Sequence, residues 1–491
     1  MKSLYTFILF AVFFSFKTFG QSRFYSVPVV VTDQNLRDSV LVAGRIDLDF
    51  PVDGKVFLQF DGEAYGDPGD RIFLAANTYP DWEPNNGNVS IRSNITGEGK
   101  CFSHTQTFPV TAGPNSFYAV AHNYVDAGGN GIASVYGTFS VEFIPDLSEV
   151  IAESSIASSE FDATSPIAYD SITIHATGAG KIEVRVNGDA YCSYDDIFVT
   201  GISATKNWNY TVPGAIALER DNTDFQYVVY SNTRVFNVPG PGTYTYYAMV
   251  EQAYEKDGNG LFYVYSNLHA RYYPNEADNL LANKSIEKEN LNLTSTLRIL
   301  DSLKLDITEP GKVEVRFDGG IQSALNKSIL LAANNTQSYE LEEGSVIIQT
   351  TDADIDRHTF VHTQVFDVVP GEHTYYIMAQ SYLGSGSTSV DIDGNFLVKF
   401  YPQGFVSATD DFTEVAFDVW PNPAIDRIHV QYETKNAPMD ISIYDLNGQL
   451  ILEAGSIVAE NEMDISMLIP GMYIVEVSNG KERGYKKLVV E

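Results

Sequence analysis

A strand–turn–strand passage that occurs three times constrains this chain more than any other feature. The copies read FSHTQTFPVTAGPNSFYAVAHNY at 102–124, YSNTRVFNVPGPGTYTYYAMVEQAY at 230–254 and FVHTQVFDVVPGEHTYYIMAQSY at 360–382. Each copy is an extended run, a Pro/Gly turn and a second run rich in Tyr, Val and Ala, a pattern typical of an antiparallel hairpin. A hairpin repeated this closely indicates an array of one module.

Two other strands recur with the hairpin. One opens with Gly-Lys and places apolar residues at every second position, with Glu and Arg between them in the later copies. Its copies occupy 54–62, 180–188 and 311–319. We expect a half-buried strand with one solvent-facing side, ending at an Asp-Gly or Asn-Gly turn. The other is a closing strand that ends at a proline, because proline cannot donate to a continuing ladder.

These markers predict an all-β fold, because sustained helical periodicity is missing and about eight short strands fit into each module. We predict a tandem array of three antiparallel β-sandwich or jelly-roll modules, followed by a small immunoglobulin-like β-sandwich. The hairpin spacing is similar to that of tumour-necrosis-factor and complement-C1q jelly rolls, over one hairpin per module, and no function is inferred from it. The predicted boundaries are 1–20 for a signal peptide, 22–148, 160–275 and 293–404 for the repeats and 412–491 for the last domain, with polar linkers at 154–159 and 275–292.

Length and charge narrow the class of protein. With 491 residues the chain is too long for one hydrophobic core. Its 31 basic and 64 acidic residues give a charge of -33, which repels nucleic-acid phosphates and anionic lipids, so no nucleic-acid partner is expected. The apolar run 4–16 after Lys2 is typical of a secretory signal, and no later segment predicts a transmembrane anchor. Cys101 and Cys192 occupy non-equivalent positions, which leaves two free thiols or one disulfide between modules.

The C-terminal 80 or so residues carry different markers, namely VWPNP, ISIYDLNGQ and LIPGMYIV. Pro-Asn-Pro starts a strand, and Asn-Gly and Pro-Gly make tight turns. The segment resembles the type A C-terminal sorting domain of the type IX secretion system of Bacteroidetes. It departs from the family at Gln449, where Arg or Lys is usual, and at Glu491, where many relatives end in Lys. The matching residues are Pro421, Asn422, Pro423, Asp445, Asn447, Gly448, Gly471, Tyr473, Lys486 and Lys487.

This resemblance implies export across the inner membrane by the signal and across the outer membrane by the sorting domain, through the type IX secretion machinery. It implies a secreted or outer-surface protein, either anchored or released. In the same light, an Asp-Ser-aliphatic triplet at the start of each module resembles the O-glycosylation site of Bacteroidetes periplasmic proteins. The serines are Ser39, Ser171 and Ser302. The alternative is a polar turn before a strand.

No nucleophile elbow, His-Glu-x-x-His, phosphate loop or Cys-x-x-Cys occurs, so we predict that the protein is not an enzyme. His104 and His362 occupy the same place in modules one and three, but Asn232 replaces them in module two. Because Asn can keep a hydrogen bond but cannot titrate, we predict a structural bond. A threonine follows each of these residues, and we interpret it as part of the sandwich framework.

Two kinds of binding residue remain candidates. Acidic, Gly-rich segments before the closing strands offer oxygen ligands for calcium, although hairpin turns use the same residues; no other cofactor is expected. The calcium candidates are Asp126, Asp257, Asp391 and Asp393. Aromatic rings in loop-like segments suit a sugar face or a core plug. These are Tyr79, Trp82, Trp208 and Tyr339.

Repetition favours linked weak binding sites over catalysis, since no acid, base or nucleophile set recurs three times. We therefore predict a secreted or cell-surface protein with a non-catalytic role in adhesion, binding a glycan or a surface-matrix ligand. A carbohydrate-binding array is the first alternative, and a secreted hydrolase with one retained site is the second.

Overall fold

The computed structural model describes residues 23–37, 40–81, 89–92, 98–125, 129–145, 151–192, 196–212, 214–219, 228–254, 260–274, 281–324, 327–339, 345–350, 356–382, 386–402, 413–414, 417–432, 439–445, 450–457, 460–478 and 482–490. The signal peptide predicted at 1–20 lies outside these ranges. The regular elements within them are β-strands, which confirms the all-β prediction. None of the described residues forms a helix long and apolar enough to cross a membrane.

Module one is a sandwich of two four-stranded antiparallel sheets. Its strands are β1 (Arg23–Asn35), β2 (Val40–Phe50), β3 (Gly54–Gly66), β4 (Asp70–Asn77), β5 (Val89–Arg92), β6 (Glu98–Val110), β7 (Gly113–Val125) and β8 (Ile132–Pro145). The inner sheet has the order β1-β8-β3-β6 and the outer sheet has the order β2-β7-β4-β5. Strands that follow one another in the chain thus mostly alternate between the sheets, which is jelly-roll connectivity.

Modules two and three repeat this topology. Module two contains β9 (Ile151–Asp162), β10 (Ile167–Ala176), β11 (Gly180–Cys192), β12 (Ile197–Ser203), β13 (Ile216–Glu219), β14 (Val228–Val238), β15 (Gly242–Tyr254) and β16 (Leu261–Pro274). Module three contains β17 (Leu281–Leu293), β18 (Arg298–Ile307), β19 (Gly311–Ser323), β20 (Lys327–Asn334), β21 (Val346–Thr350), β22 (Asp356–Val368), β23 (Gly371–Tyr382) and β24 (Thr388–Pro402). The inner sheets are β9-β16-β11-β14 and β17-β24-β19-β22.

Two of the predicted linkers are largely strand. β9 begins at Ile151 and β17 begins at Leu281, so modules two and three start earlier than the predicted 160 and 293. Both are edge strands of their inner sheets, and an edge strand keeps one side in water. Their polar composition therefore resembled a linker, although Ile286 and Leu291 of β17 are buried.

The predicted turn after the Gly-Lys strand is also wrong. β3, β11 and β19 continue as strands through the Asp-Gly or Asn-Gly pair. Gly62 is required for another reason, because a Cβ there would collide with the carbonyl of Tyr136 on β8. Close approach of two backbones within a sheet is a known use of glycine.

Each module has its own apolar core between its two sheets. In module one, Val56, Leu58 and Phe60 of β3 point into this core together with Phe117 of β7. The residues between them on β3 point the other way, where the inner sheets of the three modules meet. There β6, β14 and β22 approach one another pairwise, so the modules surround a common pseudo-threefold axis. The face predicted to meet solvent is therefore buried between modules.

The C-terminal domain is a separate two-sheet sandwich. Its strands are β25 (Thr413–Glu414), β26 (Phe417–Trp420), β27 (Arg427–Tyr432), β28 (Met439–Asp445), β29 (Leu450–Ile457), β30 (Glu460–Asp464), β31 (Gly471–Ser478) and β32 (Glu482–Val490). One sheet has the order β25-β32-β31-β28-β29 and the other has the order β26-β27-β30. Ile428, Ile443 and Val475 lie in the core between them.

Candidate functional site

A fully buried arginine lies where the three modules meet. Arg316 of module three forms ion pairs with Asp61 of module one and, through Nε at 3.0 Å, with Asp318 of its own strand. It also donates hydrogen bonds to Ser231 Oγ of module two at 2.6 Å and to Thr363 Oγ1 at 3.1 Å. A single side chain thus binds groups from all three modules.

The threonine that recurs in every hairpin makes the same bond at each junction. Its hydroxyl donates to the side chain on the Gly-Lys strand of the following module, in the cycle one to two, two to three and three to one. The bonds join Thr105 to Asn187, Thr233 to Asp318 (2.6 Å) and Thr363 to Asp61 (2.7 Å). The recurrence interpreted as sandwich framework is therefore a contact between modules.

A second layer of charges lies along the axis. Burial alone raises the pKa of Glu183, but Lys399 at 3.2 Å and Arg185 at 2.8 Å reverse this and lower it to about 2. The Tyr273 hydroxyl adds a hydrogen bond at 3.0 Å. Burial lowers the pKa of Lys399 to about 8, although Glu183 opposes this shift. These groups neutralise one another across the junctions, which is a structural use of buried charge.

The matched histidines make the structural bond that the sequence predicted. His104 Nδ1 accepts a hydrogen bond from the backbone N–H of Ala76 at 2.9 Å. His362 Nδ1 accepts the equivalent bond from Ala333 at 3.0 Å. In module two the Asn232 amide donates instead to a backbone carbonyl. Each of these side chains ties the inner sheet of its module to residues beyond that sheet.

The described candidate sugar-binding aromatics lie in three different modules, Tyr79 in module one, Trp208 in module two and Tyr339 in module three. Trp208 is only 6% exposed, which fits the core plug that the sequence left open as the alternative to a sugar face. Tyr79 and Tyr339 are half buried, and the Tyr339 hydroxyl accepts a hydrogen bond from Gln380 Nε2 at 2.8 Å. Trp82 lies outside the described residues. Sugar binding by Tyr79 and Tyr339 stays a prediction.

The calcium candidates differ from the expected loops. Asp391 and Asp393 lie on strand β24 itself, which corrects their expected place in a segment before the closing strand. Asp391 Oδ1 accepts a hydrogen bond from the backbone N–H of Asn290 at 2.7 Å. Asp126 and Asp257 lie outside the described residues. Among the residues that are described, no group of three or more His, Cys, Asp or Glu side chains has the arrangement of a metal site.

Two of the candidate glycosylation serines are exposed on strands. Ser171 lies on β10 and Ser302 on β18, each just after a shift of register in the ladder. The preceding Asp accepts a hydrogen bond from the serine N–H, at 2.7 Å for Ser171 and 2.8 Å for Ser302. Ser39 lies outside the described residues. The backbone is therefore held at both sites while the hydroxyl faces outward.

Cys101 is a free thiol in the described part of the chain, and it is buried where modules one and three meet. Burial, with the charge of Glu63, raises its pKa to about 12. The side chain of Cys192 lies outside the described residues.

The sorting-motif residues stabilise the C-terminal domain. Asn422 donates through Nδ2 to the carbonyl of Lys487 at 2.7 Å and accepts from the N–H of Val489 at 2.9 Å. The buried Tyr473 donates its hydroxyl to the carbonyl of Ile469 at 2.7 Å. These bonds fasten the Pro-Asn-Pro segment and the Pro-Gly turn to the sheets.

The other sorting-motif residues are exposed or lie outside the described residues. Pro421, Pro423 and Gly471 are exposed. Lys486 is exposed too, and its Nζ lies 2.6 Å from Asp418 Oδ1. The side chain of Asp445 and all of Gly448 lie outside the described residues.

A cleft of about 570 Å³, including its open mouth, separates modules two and three near one end of the axis. Module two contributes Ala217 of β13 to its wall. Module three contributes Gly320, Gln322, Arg357, Glu289, Asn290, Asp391 and Asp393. This cleft combines hydrogen-bond donors with carboxylates that include Asp391 and Asp393, two of the calcium candidates of the sequence.

The fold and these sites define a protein of three jelly-roll modules joined around an axis and followed by a small β-sandwich. Residues 418–491 of that sandwich region match the family model described as "Secretion system C-terminal sorting domain". The type IX sorting domain inferred from the sequence is thereby confirmed, and it supports export to the cell surface or beyond. No curated protein matches the chain.

Several solved structures match the chain at low sequence identity and low TM-score. The BSP domain of a biofilm-associated protein is 8% identical, with 70% of this chain and 81% of that chain covered and a TM-score of 0.15. The Endo-D glycoside hydrolase domain of Streptococcus pneumoniae R6 is 11% identical over 43% of this chain, with a TM-score of 0.12, and the chain spans 37% of its length. A structure of Sulfolobus Turreted Icosahedral Virus is 10% identical, with 78% and 92% covered and a TM-score of 0.18. None of these values supports a functional argument.

Proposed function

We propose that this is an exported, non-catalytic binding protein whose three modules act as one rigid block in adhesion at the outer cell surface or in the surrounding matrix. The observation that supports the proposal is the use of its buried charges. Arg316, Arg185, Lys399 and Glu183 are nearly inaccessible and bind groups of neighbouring modules. Buried charges that join modules favour a scaffold whose loops are held in fixed positions, rather than a reaction centre.

The sorting domain supports the route to that location through the type IX secretion machinery. Three modules held around one axis present equivalent loop ends in a fixed geometry. Linked weak contacts then act together, without the entropy that flexible linkers would cost.

Carbohydrate binding is the second candidate, and Tyr339 favours it. Its ring is half buried and its hydroxyl is held by Gln380, so the orientation of the remaining ring face is restricted. A ring that is already oriented loses little entropy when a sugar packs against it.

The test uses the protein purified after export from its native host. It is applied to a glycan array, to cells of the same host and to matrix proteins. Saturable binding to cells or matrix with no signal on the array supports the adhesion proposal. Binding on the array that is lost in Tyr79→Ala and Tyr339→Ala supports the carbohydrate alternative. Hydrolysis of an array glycan would overturn the non-catalytic role.

A further inference from the structure

At one level along the axis, two of the three junctions between modules are closed by the same contact. In it, a carboxylate accepts a hydrogen bond from a backbone N–H of a neighbouring module. Glu63 of module one accepts a hydrogen bond from the backbone N–H of Ile347 in module three at 3.0 Å. Asp189 of module two accepts bonds from the N–H and the hydroxyl of Ser90 in module one, both at 3.0 Å. At the third junction the equivalent residue is Gly320, which has no side chain to offer.

The equivalence follows from strand register. Glu63, Asp189 and Gly320 lie at the same position of the Gly-Lys strand in the three modules. The residues that face these three positions are each the second of their edge strand, and each pairs with an equivalent residue of the neighbouring strand in the outer sheet. These pairs are Ser90 with Phe73, Ala217 with Val199 and Ile347 with Leu330. The N–H of Ala217 is therefore placed as those of Ser90 and Ile347 are, beside a position that holds a carboxylate in the other junctions.

A second substitution enlarges the space at this junction. The residue paired across the sheet is Tyr136 beside Glu63 and Tyr265 beside Asp189, but Asp393 beside Gly320. Replacing a carboxylate side chain and a phenol ring by glycine and aspartate leaves the cleft between modules two and three. The cleft is thus a local break in the pseudo-symmetry of the axis.

The walls of the cleft have opposite character. One side carries the Ala217 N–H and the Arg357 guanidinium, which is held by Glu219 of module two at 3.2 Å. The other side carries three carboxylates, those of Glu289, Asp391 and Asp393. Burial, with the charges of Glu287 and Asp391, raises the pKa of Asp393 to about 6, so a cation there would be favourable.

We propose that this cleft binds a small zwitterion, a free α-amino acid, in which one carboxylate and one ammonium group are close together. The ligand carboxylate takes the place of the missing side chain, next to the Ala217 N–H and Arg357. The ammonium group pairs with Asp391 and Asp393. The pair of opposite charges matches the two walls, whereas a simple anion would be repelled by the carboxylates. This site is independent of the adhesive role proposed above.

The experiment titrates the exported protein by calorimetry with each of the twenty common amino acids, and with acetate and methylammonium as half-ligands. We expect saturable binding of at least one amino acid, with both half-ligands at least about tenfold weaker. Failure of all twenty amino acids to bind would overturn the proposal. Calcium binding that depends on Asp393, with no amino acid bound, would overturn it in favour of a cation site.

Variants locate the binding. Gly320→Asp supplies in the chain the carboxylate that Asp189 provides in module two, and we expect it to abolish amino-acid binding in a folded protein. A Cβ at Gly320 would lie 3.3 Å from Ile216 Cγ2, so Gly320→Ala is a milder second variant. Asp393→Asn should weaken binding at least about tenfold by removing the ammonium partner. Gly240→Asp adds the same side chain where nothing lies within 4 Å, and it should leave binding unchanged. Unaltered affinity in Gly320→Asp would refute the assignment.

Discussion

Removing the charge of Arg316 tests the role of the axis most directly. Arg316, Asp61 and Asp318 are all 0% exposed in their side chains, so Arg316→Met leaves two carboxylates buried without their cation. Breaking a buried pair in this way costs about 3–5 kcal/mol of folding free energy. This loss of folding free energy is larger than the loss from changed packing, because methionine keeps most of the volume of the arginine side chain.

The assay is urea denaturation followed by tryptophan fluorescence, to which Trp208 contributes from its buried position in module two. The matched control is Arg45→Met, whose pair with Asp47 has side chains 56% and 51% exposed and should contribute almost nothing to stability. Adding Asp61→Asn and Asp318→Asn to Arg316→Met should restore much of the lost stability, since no unpaired charge then remains. A cost of Arg316→Met below about 1 kcal/mol would refute the idea that this network holds the modules together.

Four further outcomes are expected. Because the folded-state pKa of Glu183 is about 2, against 4.5 ordinarily, its ion pairs stabilise the protein at neutral pH and this contribution is lost as the pH falls from 4.5 towards 2; Glu183→Gln should flatten that part of a plot of melting temperature against pH. Asp189→Ala removes the acceptor for Ser90 and should cost about 1–3 kcal/mol in urea denaturation, whereas Asp367→Ala, 86% exposed, should cost almost nothing. His104→Asn should be tolerated within about 1 kcal/mol, as module two already carries Asn232, while His104→Leu should cost about 1–3 kcal/mol by leaving the Ala76 N–H without its acceptor; equal costs would contradict the structural bond. Intact mass of the protein from its native host should exceed the bare polypeptide, and Ser171→Ala and Ser302→Ala should each remove one glycan; a bare mass would end the glycosylation hypothesis.

The modules were predictable because their signal is local. Alternating apolar residues and hairpin turns follow from the backbone and from nearest neighbours in a sheet, so three sandwiches could be predicted from one chain. The edge strands β9 and β17 were missed for the complementary reason. A strand with one polar side has the same composition as a linker until its partner in the sheet is known.

Asn422 and Tyr473 show a different route to a correct prediction. The sorting domain was found by resemblance, and the structure adds that both side chains bind backbone groups of neighbouring segments. Trp208 shows the limit of reasoning from residue type. A loop-like setting does not reveal whether a ring faces water or a core, and here the core formed by Val199 and Met249 covers it.

The sequence by itself determined the repeat, the all-β modules and the exported class of protein. Only the tertiary structure decided what the hairpins and the alternating strands are for. Period-two alternation defines two faces of a strand, but it cannot say what covers the polar one. Glu183, Arg185 and the recurrent threonines therefore appeared to face water or to support one sandwich, whereas they join modules across an axis. The cleft at Gly320 exists for the same reason. The absence of a side chain there opens a space only because a neighbouring module faces that position.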